Sequence, residues 1–223
     1  MNLKIIHFNF TENTNYSYYL NLIKQNQQLE EINVILSKYL PLKIKELFFN
    51  IINNLSNIKI FSILDGKNIK YLKNKTLTKI TIDKVIDNNL NLLFENCPNI
   101  NSMIITRSNL TNINKNNNKI QELIIYNKEI KINLNILIWI FSQYELKKLE
   151  INLLDFDEEI EDEVFEILKK FIKEIDKYNN LHTCILIIND LGNDKKKQII
   201  KYLTQEFSKI PYKTLKISNQ IFV

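Results

Sequence analysis

Glycine is almost missing from this sequence: Gly66 and Gly192 are the two in 223 residues, so a glycine-rich loop that cradles phosphates cannot be assembled. Cysteine is equally scarce. Cys97 and Cys184 are too few for a disulfide framework or for a structural zinc site with four ligands, and they leave a reducing compartment compatible. Arginine occurs once, at Arg107, which removes the planar fork that grips phosphate or carboxylate through two bonds. No stretch reaches the ~18 apolar residues of a membrane span; the nearest, 132–141, is interrupted by asparagine. The opening residues lack the apolar core and small-residue cleavage site of a secretory leader. A soluble protein is expected, cytoplasmic by default, or secreted if a leader has been removed.

What is present points to a globular chain with a sizeable core, since 45% of residues are hydrophobic. The net charge of +5 and pI near 8.9 are mildly basic, without the clustering of a dedicated nucleic-acid domain, so nucleic acid is not an expected partner. Asparagine is abundant, at 34 residues, and with Ile and Lys suggests AT-rich coding. Five Asn-x-Ser/Thr sequons start at Asn9, Asn15, Asn54, Asn74 and Asn109, but this composition yields about three by chance, so they decide nothing.

An internal period organises the chain. The spacing apolar-x-x-apolar-x-apolar is clear at Leu77/Ile80/Ile82, Ile100/Met103/Ile105, Ile120/Leu123/Ile125, Leu146/Leu149/Ile151 and Leu181/Cys184/Leu186. Weaker copies fall at Leu3/Ile6/Phe8, Leu29/Ile32/Val34, Ile58/Phe61/Ile63 and Tyr212/Leu215/Ile217. These are nine expected strands, most of them about 20 to 29 residues apart. Between them, 40–55, 134–144 and 158–178 carry helical spacing, the last through Ile160, Val164, Leu168, Phe171 and Ile175. Pro41 suits a helix start and Pro98 follows a helix end, whereas 109–119 has no apolar period and reads as an extended connection.

At these positions the chain resembles the leucine-rich-repeat family, and "LLFENCPNINSMIIT" resembles its cysteine-containing, F-box-associated subtype. The resemblance implies an α/β solenoid, a horseshoe of about nine parallel strands on the concave face with helices and loops on the convex face, as one domain over 1–223. The family's Asn or Cys ladder after the strand is missing, so the turns must satisfy their backbone groups in other ways. No F-box is expected ahead of the repeats, since the first expected strand starts at once.

In such a stack the three apolar positions of each strand turn inward and their neighbours turn out, because side chains alternate along a strand. One outward column is His7, Asn33, Ser62, Thr81, Ile104, Ile124, Glu150, Ile185 and Lys216. A second is Asn9, Ile35, Leu64, Asp83, Thr106, Tyr126, Asn152, Ile187 and Ser218. Within them Ile104, Ile124, Tyr126, Ile185 and Ile187 form the apolar cluster expected to bind a protein partner, unless helices or loops of the longer repeats fold over it.

Catalysis is not expected, and neither is a cofactor or metal. His7 and His182, on the first and eighth strands, would stand roughly 34 Å apart along a sheet of ~4.8 Å spacing, each a surface residue. Cys97 and Cys184 read as small buried apolar residues and Trp139 as core. The acidic run 155–163 reads as the first turn of a solvated helix, and Lys195, Lys196 and Lys197 as a solvated helix face. Neither end carries an evident polar cap, which suggests self-association through the terminal strands, or Phe222 and Val223 folding back. The function expected is a non-catalytic protein-interaction module or scaffold. The alternatives are a structural subunit of a large (ribonucleo)protein assembly and a secreted parasite-type effector.

Overall fold

A computed structural model describes residues 3–10, 15–37, 39–84, 87–106, 119–126, 134–143, 145–152, 161–174, 180–187, 194–209 and 214–217. The chain divides into two compact units, Met1–Asn109 and Leu110–Val223. The first carries strands β1 (Ile5–Phe10), β2 (Glu31–Leu36), β3 (Ile60–Ile63), β4 (Lys79–Asp83) and β5 (Ser102–Thr106). Its helices are α1 (Tyr16–Gln25), α2 (Leu42–Asn53) and α3 (Asp87–Asn96), with a 3-10 helix, Gly66–Tyr71, between β3 and β4. The second carries β6 (Glu122–Tyr126), α4 (Leu134–Phe141), β7 (Lys148–Asn152), α5 (Glu161–Lys173), β8 (Thr183–Ile187), α6 (Asp194–Phe207) and β9 (Thr214–Ile217).

Within each unit the strands lie in chain order and every pairing is parallel, so the fold is α/β with an open parallel sheet. The nine strands expected from the apolar period are the nine observed among the described residues. Their register is also the expected one: Ile6, Ile32, Phe61, Ile80 and Met103 are successive partners in the first unit, and Leu123, Leu149, Cys184 and Leu215 in the second. Except for the half-buried Leu3, the apolar triplets are buried wherever their side chains are described; Tyr212 lies outside the described residues.

The helices pack on the buried side of the strands. An aromatic string joins Phe10 of β1 to Phe48 of α2 at 5.7 Å, Phe48 to Phe61 of β3 at 6.4 Å, and Phe49 to Tyr71 at 6.0 Å. Each such pair adds about 0.5–1.5 kcal/mol beyond its buried area. Pro41 is the N-cap residue of α2, as its position suggested, and α3 stops at Asn96, before Cys97-Pro98. α4 and α5 lie inside the expected 134–144 and 158–178. Leu168 is buried as expected, joined by Ile172; Ile160, Ile175 and the side chains of Val164 and Phe171 lie outside the described residues. In α5 and α6, Phe165 and Tyr202 meet edge to face at 5.5 Å, and the Lys169 ammonium sits 4.0 Å from the Phe165 ring centre.

The entries to β2, β3, β4, β5, β7 and β8 repeat one device, seen first where the Glu30 and Glu31 amides meet the Lys4 carbonyl. Two consecutive amides share a single carbonyl of the preceding repeat: Lys59 and Ile60 on Glu30, Thr78 and Lys79 on Lys59, Asn101 and Ser102 on Thr78, Lys147 and Lys148 on Gln121, His182 and Thr183 on Lys147. Three residues before a strand, a side chain donates to the preceding repeat: Asn57 to the Gln27 carbonyl at 3.1 Å, Thr76 to that of Ile58 at 2.7 Å, and Asn99 to that of Lys75 at 2.6 Å.

Five residues before β2, β4, β5 and β7 stands a buried polar side chain, Asn26, Asn74, Cys97 and Gln143, whereas the buried Leu55 precedes β3 and the exposed Lys209 precedes β9. Asn74 donates to the carbonyls of Ile52 and Leu55 at 2.9 and 2.8 Å, and the Cys97 thiol to that of Leu72 at 3.7 Å. Asn26 and Gln143 donate instead to carbonyls four residues earlier, those of Leu22 and Trp139, so a ladder across repeats exists at Asn74 and Cys97, placed before the strand instead of after it. It satisfies carbonyls that the turns leave buried, which would otherwise cost about 1–3 kcal/mol each. Part of the asparagine that composition alone attributes to coding bias is structural.

The connection 109–118, most of the acidic run (155–160), and the ends, including Ser218, Phe222 and Val223, lie outside the described residues. Among the described residues no helix is long and apolar enough to cross a membrane.

Candidate functional site

The outward side chains follow from the strand alternation. In the first unit Ile6, Phe8 and Phe10 are buried while Ile5, His7 and Asn9 are exposed, and β2 repeats the pattern one strand on. Parallel sheets are normally covered on both faces, because their crossovers lay helices against them. Here the outward row His7, Asn33, Ser62 and Thr81 forms the floor of a depression of about 380 Å³, flanked by Asn9, Ile35 and Leu64. Ile35 is 41% exposed and Leu64 46%. The two are held side by side, since the Leu64 amide donates to the Val34 carbonyl at 3.2 Å.

Polar groups fix the rim. Asn33 Nδ2 donates to Glu31 Oε1 at 2.8 Å, which orients the amide at the floor. Beyond the depression, on β4 and β5, Thr106 Oγ1 donates to Asp83 Oδ1 at 2.7 Å, and Asp83 is buried. This surface offers two aliphatic anchors beside hydrogen-bonding side chains, and the Glu31 and Asp83 carboxylates near it are already engaged. It suits an uncharged or amphipathic segment.

The expected partner-binding residues divide between the units. Ile104 belongs to the first, half-buried on β5 beside Thr81 of β4. Ile124, Tyr126, Ile185 and Ile187 belong to the second, where Ile124 and Ile185 are half-buried and Tyr126 is 41% exposed. The side chain of Ile187 lies outside the described residues. Between Ile124 and Ile185 stands Glu150, their neighbour on β7. Its carboxylate accepts the Tyr126 hydroxyl at 2.9 Å and lies 3.9 Å from the Lys148 ammonium. Partial burial, and then the carboxylate, raise the Tyr126 hydroxyl above the ordinary phenol range. In the second unit the expected patch is thus an isoleucine pair split by an engaged acid.

Ile35 and Leu64 stand in the outward columns read from the sequence, but the clustering criterion favoured isoleucine runs on neighbouring strands and passed over a mixed pair. Their exposure is what distinguishes them, and exposure is not written in a period.

His7 and His182 are both exposed and fall in different units. Cys97, Cys184 and Trp139 are buried as expected. Burial pushes the Cys97 thiol up to about 11, partly offset by the Asn74 backbone amide, so it stays protonated at neutral pH. Among the described residues no group of three or more His, Cys, Asp or Glu is placed to hold a metal ion. A second depression, of about 570 Å³, lies on the helix side of the first unit between α1 and α2, bordered by Leu20, Lys24, Ile44, Leu47 and Ile51.

Comparison with solved structures finds similarity to Leiomodin-1 Actin-Binding Site 2 (ABS2), at 15% identity and a TM-score of 0.41, over 88% of this chain and 99% of that one. No family model matches the chain, and no curated protein matches it.

Proposed function

We propose that the chain is a single leucine-rich-repeat solenoid over 1–223 that serves as a non-catalytic protein-interaction module, holding a protein partner on a concave strand face without a cofactor. The observation that carries this reading is the exposure of apolar side chains on the outward face of the first unit. Two aliphatic side chains, Ile35 and Leu64, are each more than two-fifths exposed beside a fixed polar row. Clustered apolar exposure of this kind is costly in water and is the usual mark of an interaction surface. In the second unit Ile124, Tyr126, Ile185 and Ile187 extend the same role, with Tyr126 the aromatic anchor and Glu150 the polar contact.

Affinity capture from the source cell, followed by mass spectrometry, tests the proposal with the natural chain and two variants, I35D/L64D and I124D/Y126D. A partner captured by the natural chain and lost from at least one variant, with the thermal melt unchanged, is the expected result. Equal capture by all three would overturn it. A collapsed melt would show that the substituted residues hold the fold instead of a partner.

A further inference from the structure

All of the net positive charge lies in the first unit, since residues 1–109 hold 13 of the 30 basic residues and 8 of the 25 acids. Much of it lies in one crossover. Residues 66–82, from the 3-10 helix to β4, contain no acid and carry Lys67, Lys70, Lys73, Lys75 and Lys79. The burial pattern aims the first four outward: Ile69, Leu72, Asn74 and Leu77 are buried, while Lys67, Lys70, Lys73 and Lys75 are exposed. A 3-10 helix eclipses residues three apart and rises about 2 Å per residue, so Lys67 and Lys70 stand on one side about 6 Å apart. Lys73 and Lys75 alternate with buried neighbours, as along an extended chain, which spaces them about 7 Å apart.

Among the described residues none of these four lysines makes an ion pair. Of the acids on the packed neighbours α2 and α3, Glu46 and Glu95 do not pair with them, and the side chain of Asp87, the first residue of α3, lies outside the described residues. Asp65 instead caps the 3-10 helix through the Lys67 amide at 3.3 Å, and the Lys70 ammonium lies 5.2 Å from the Tyr71 ring centre.

The backbone beneath the stripe is clamped by asparagines. Asn89 donates to the Lys67 carbonyl at 2.9 Å, Asn53 to that of Tyr71 at 2.9 Å, and Asn99 to that of Lys75 at 2.6 Å; Asn53 Oδ1 also accepts the Lys73 amide at 2.7 Å. A fixed backbone loses little entropy when its lysines are engaged.

We propose that Lys67, Lys70, Lys73 and Lys75 form a docking stripe for an extended acidic segment of a partner protein. Alternate side chains of an extended peptide lie on one side about 7 Å apart, which matches the lysine spacing. Single-stranded nucleic acid is the poorer fit, because the stripe has no arginine and its one aromatic ring, Tyr71, is half-buried beside Lys70. The stripe lies in the crossover between β3 and β4, away from the outward strand face, and does not depend on that face binding anything.

The test is fluorescence anisotropy on the full chain with three labelled probes: a peptide of about six Glu-Ser repeats, its Gln-Ser counterpart of the same length, and a thymidine oligonucleotide of about twelve nucleotides. The Glu-Ser peptide is expected to bind, with affinity falling roughly tenfold between about 50 and 200 mM salt, while the Gln-Ser peptide does not. The variant K67Q/K70Q/K73Q/K75Q is expected to lose at least about tenfold in affinity for the Glu-Ser peptide, and the matching arginine variant to keep it. K195Q/K196Q/K197Q, which removes charge elsewhere, should bind as the natural chain does. The proposal is overturned by no binding of the Glu-Ser peptide, by tighter binding of the oligonucleotide, by full binding in the glutamine variant, or by an equal loss in the control. Should circular dichroism show the quadruple variant unfolded, K70Q and K73Q are measured singly. A loss of about threefold in each supports the stripe, and no change in either overturns it.

Discussion

Lys84 follows β4 with φ of +56°, the left-handed region where a side chain with a Cβ crowds its own backbone. Its amide donates to the Thr106 carbonyl at 3.0 Å, so the bend is held by the neighbouring strand. The conformation costs about 1 kcal/mol in any residue but glycine or asparagine. Lys84→Gly is therefore expected to gain about 0.5–1 kcal/mol despite glycine's greater unfolded entropy, and Lys84→Val to lose more than about 1 kcal/mol. Urea midpoints at constant slope check both signs. At Cys97 burial acts on charge instead. With its thiol raised from 9.0 to about 11, the folded state favours the protonated form, so the contribution is intact below pH 9 and is lost as pH rises through about 11. Cys97 and Cys184 are expected to resist a disulfide reagent at pH 8 and to react only once guanidinium exposes them.

The strands were legible because each spends three apolar residues on one face at a fixed spacing, and the register sets Ile80 beside Phe61 and Met103 as that spacing requires. Ten-residue α1 was not legible: Tyr16–Gln25 buries only Leu20 and Ile23, and a capping Asn15 carbonyl oxygen on the Tyr18 amide is a weak signal in a chain with 34 asparagines. The polar ladder escaped for a related reason. The buried polar positions ahead of the strands hold Asn26, Asn74, Cys97 and Gln143, so no single residue type repeats, and the role appears only once their carbonyl partners are known. Of the candidate site, the direction of each side chain was legible from alternation, and its exposure was not. Exposure depends on what neighbouring repeats lay across it, as Glu150 and Tyr126 show. Asn74 tests the ladder, because Asn74→Ala would strand the Ile52 and Leu55 carbonyls and the Thr76 amide. A loss of about 3 kcal/mol is expected, seen as a drop of roughly 6–12 °C in Tm. The same burial closes one sequon: in the folded chain the Asn74 amide is not available to a glycan.

At the scale of the whole molecule, within each unit every strand pairs with the strands next to it in sequence, and the entries to β2, β3, β4, β5, β7 and β8 each borrow a carbonyl from the preceding repeat. Stability in such a chain is a sum of local units and nearest-neighbour interfaces, so damage should spread a repeat or two and then fade. Leu149 and Ile80 make a matched pair of probes, each fully buried as the second residue of its strand with partners on both sides. Truncating either to alanine should cost about 2–5 kcal/mol. Under hydrogen exchange Leu149→Ala is expected to lower protection in β6, β7 and β8 while β1–β3 keep theirs, and Ile80→Ala to lower β3, β4 and β5 while β7–β9 keep theirs. Uniform loss of protection across all nine strands in both variants would mean that the chain opens as one cooperative block, and the local-interface account of its stability would be wrong.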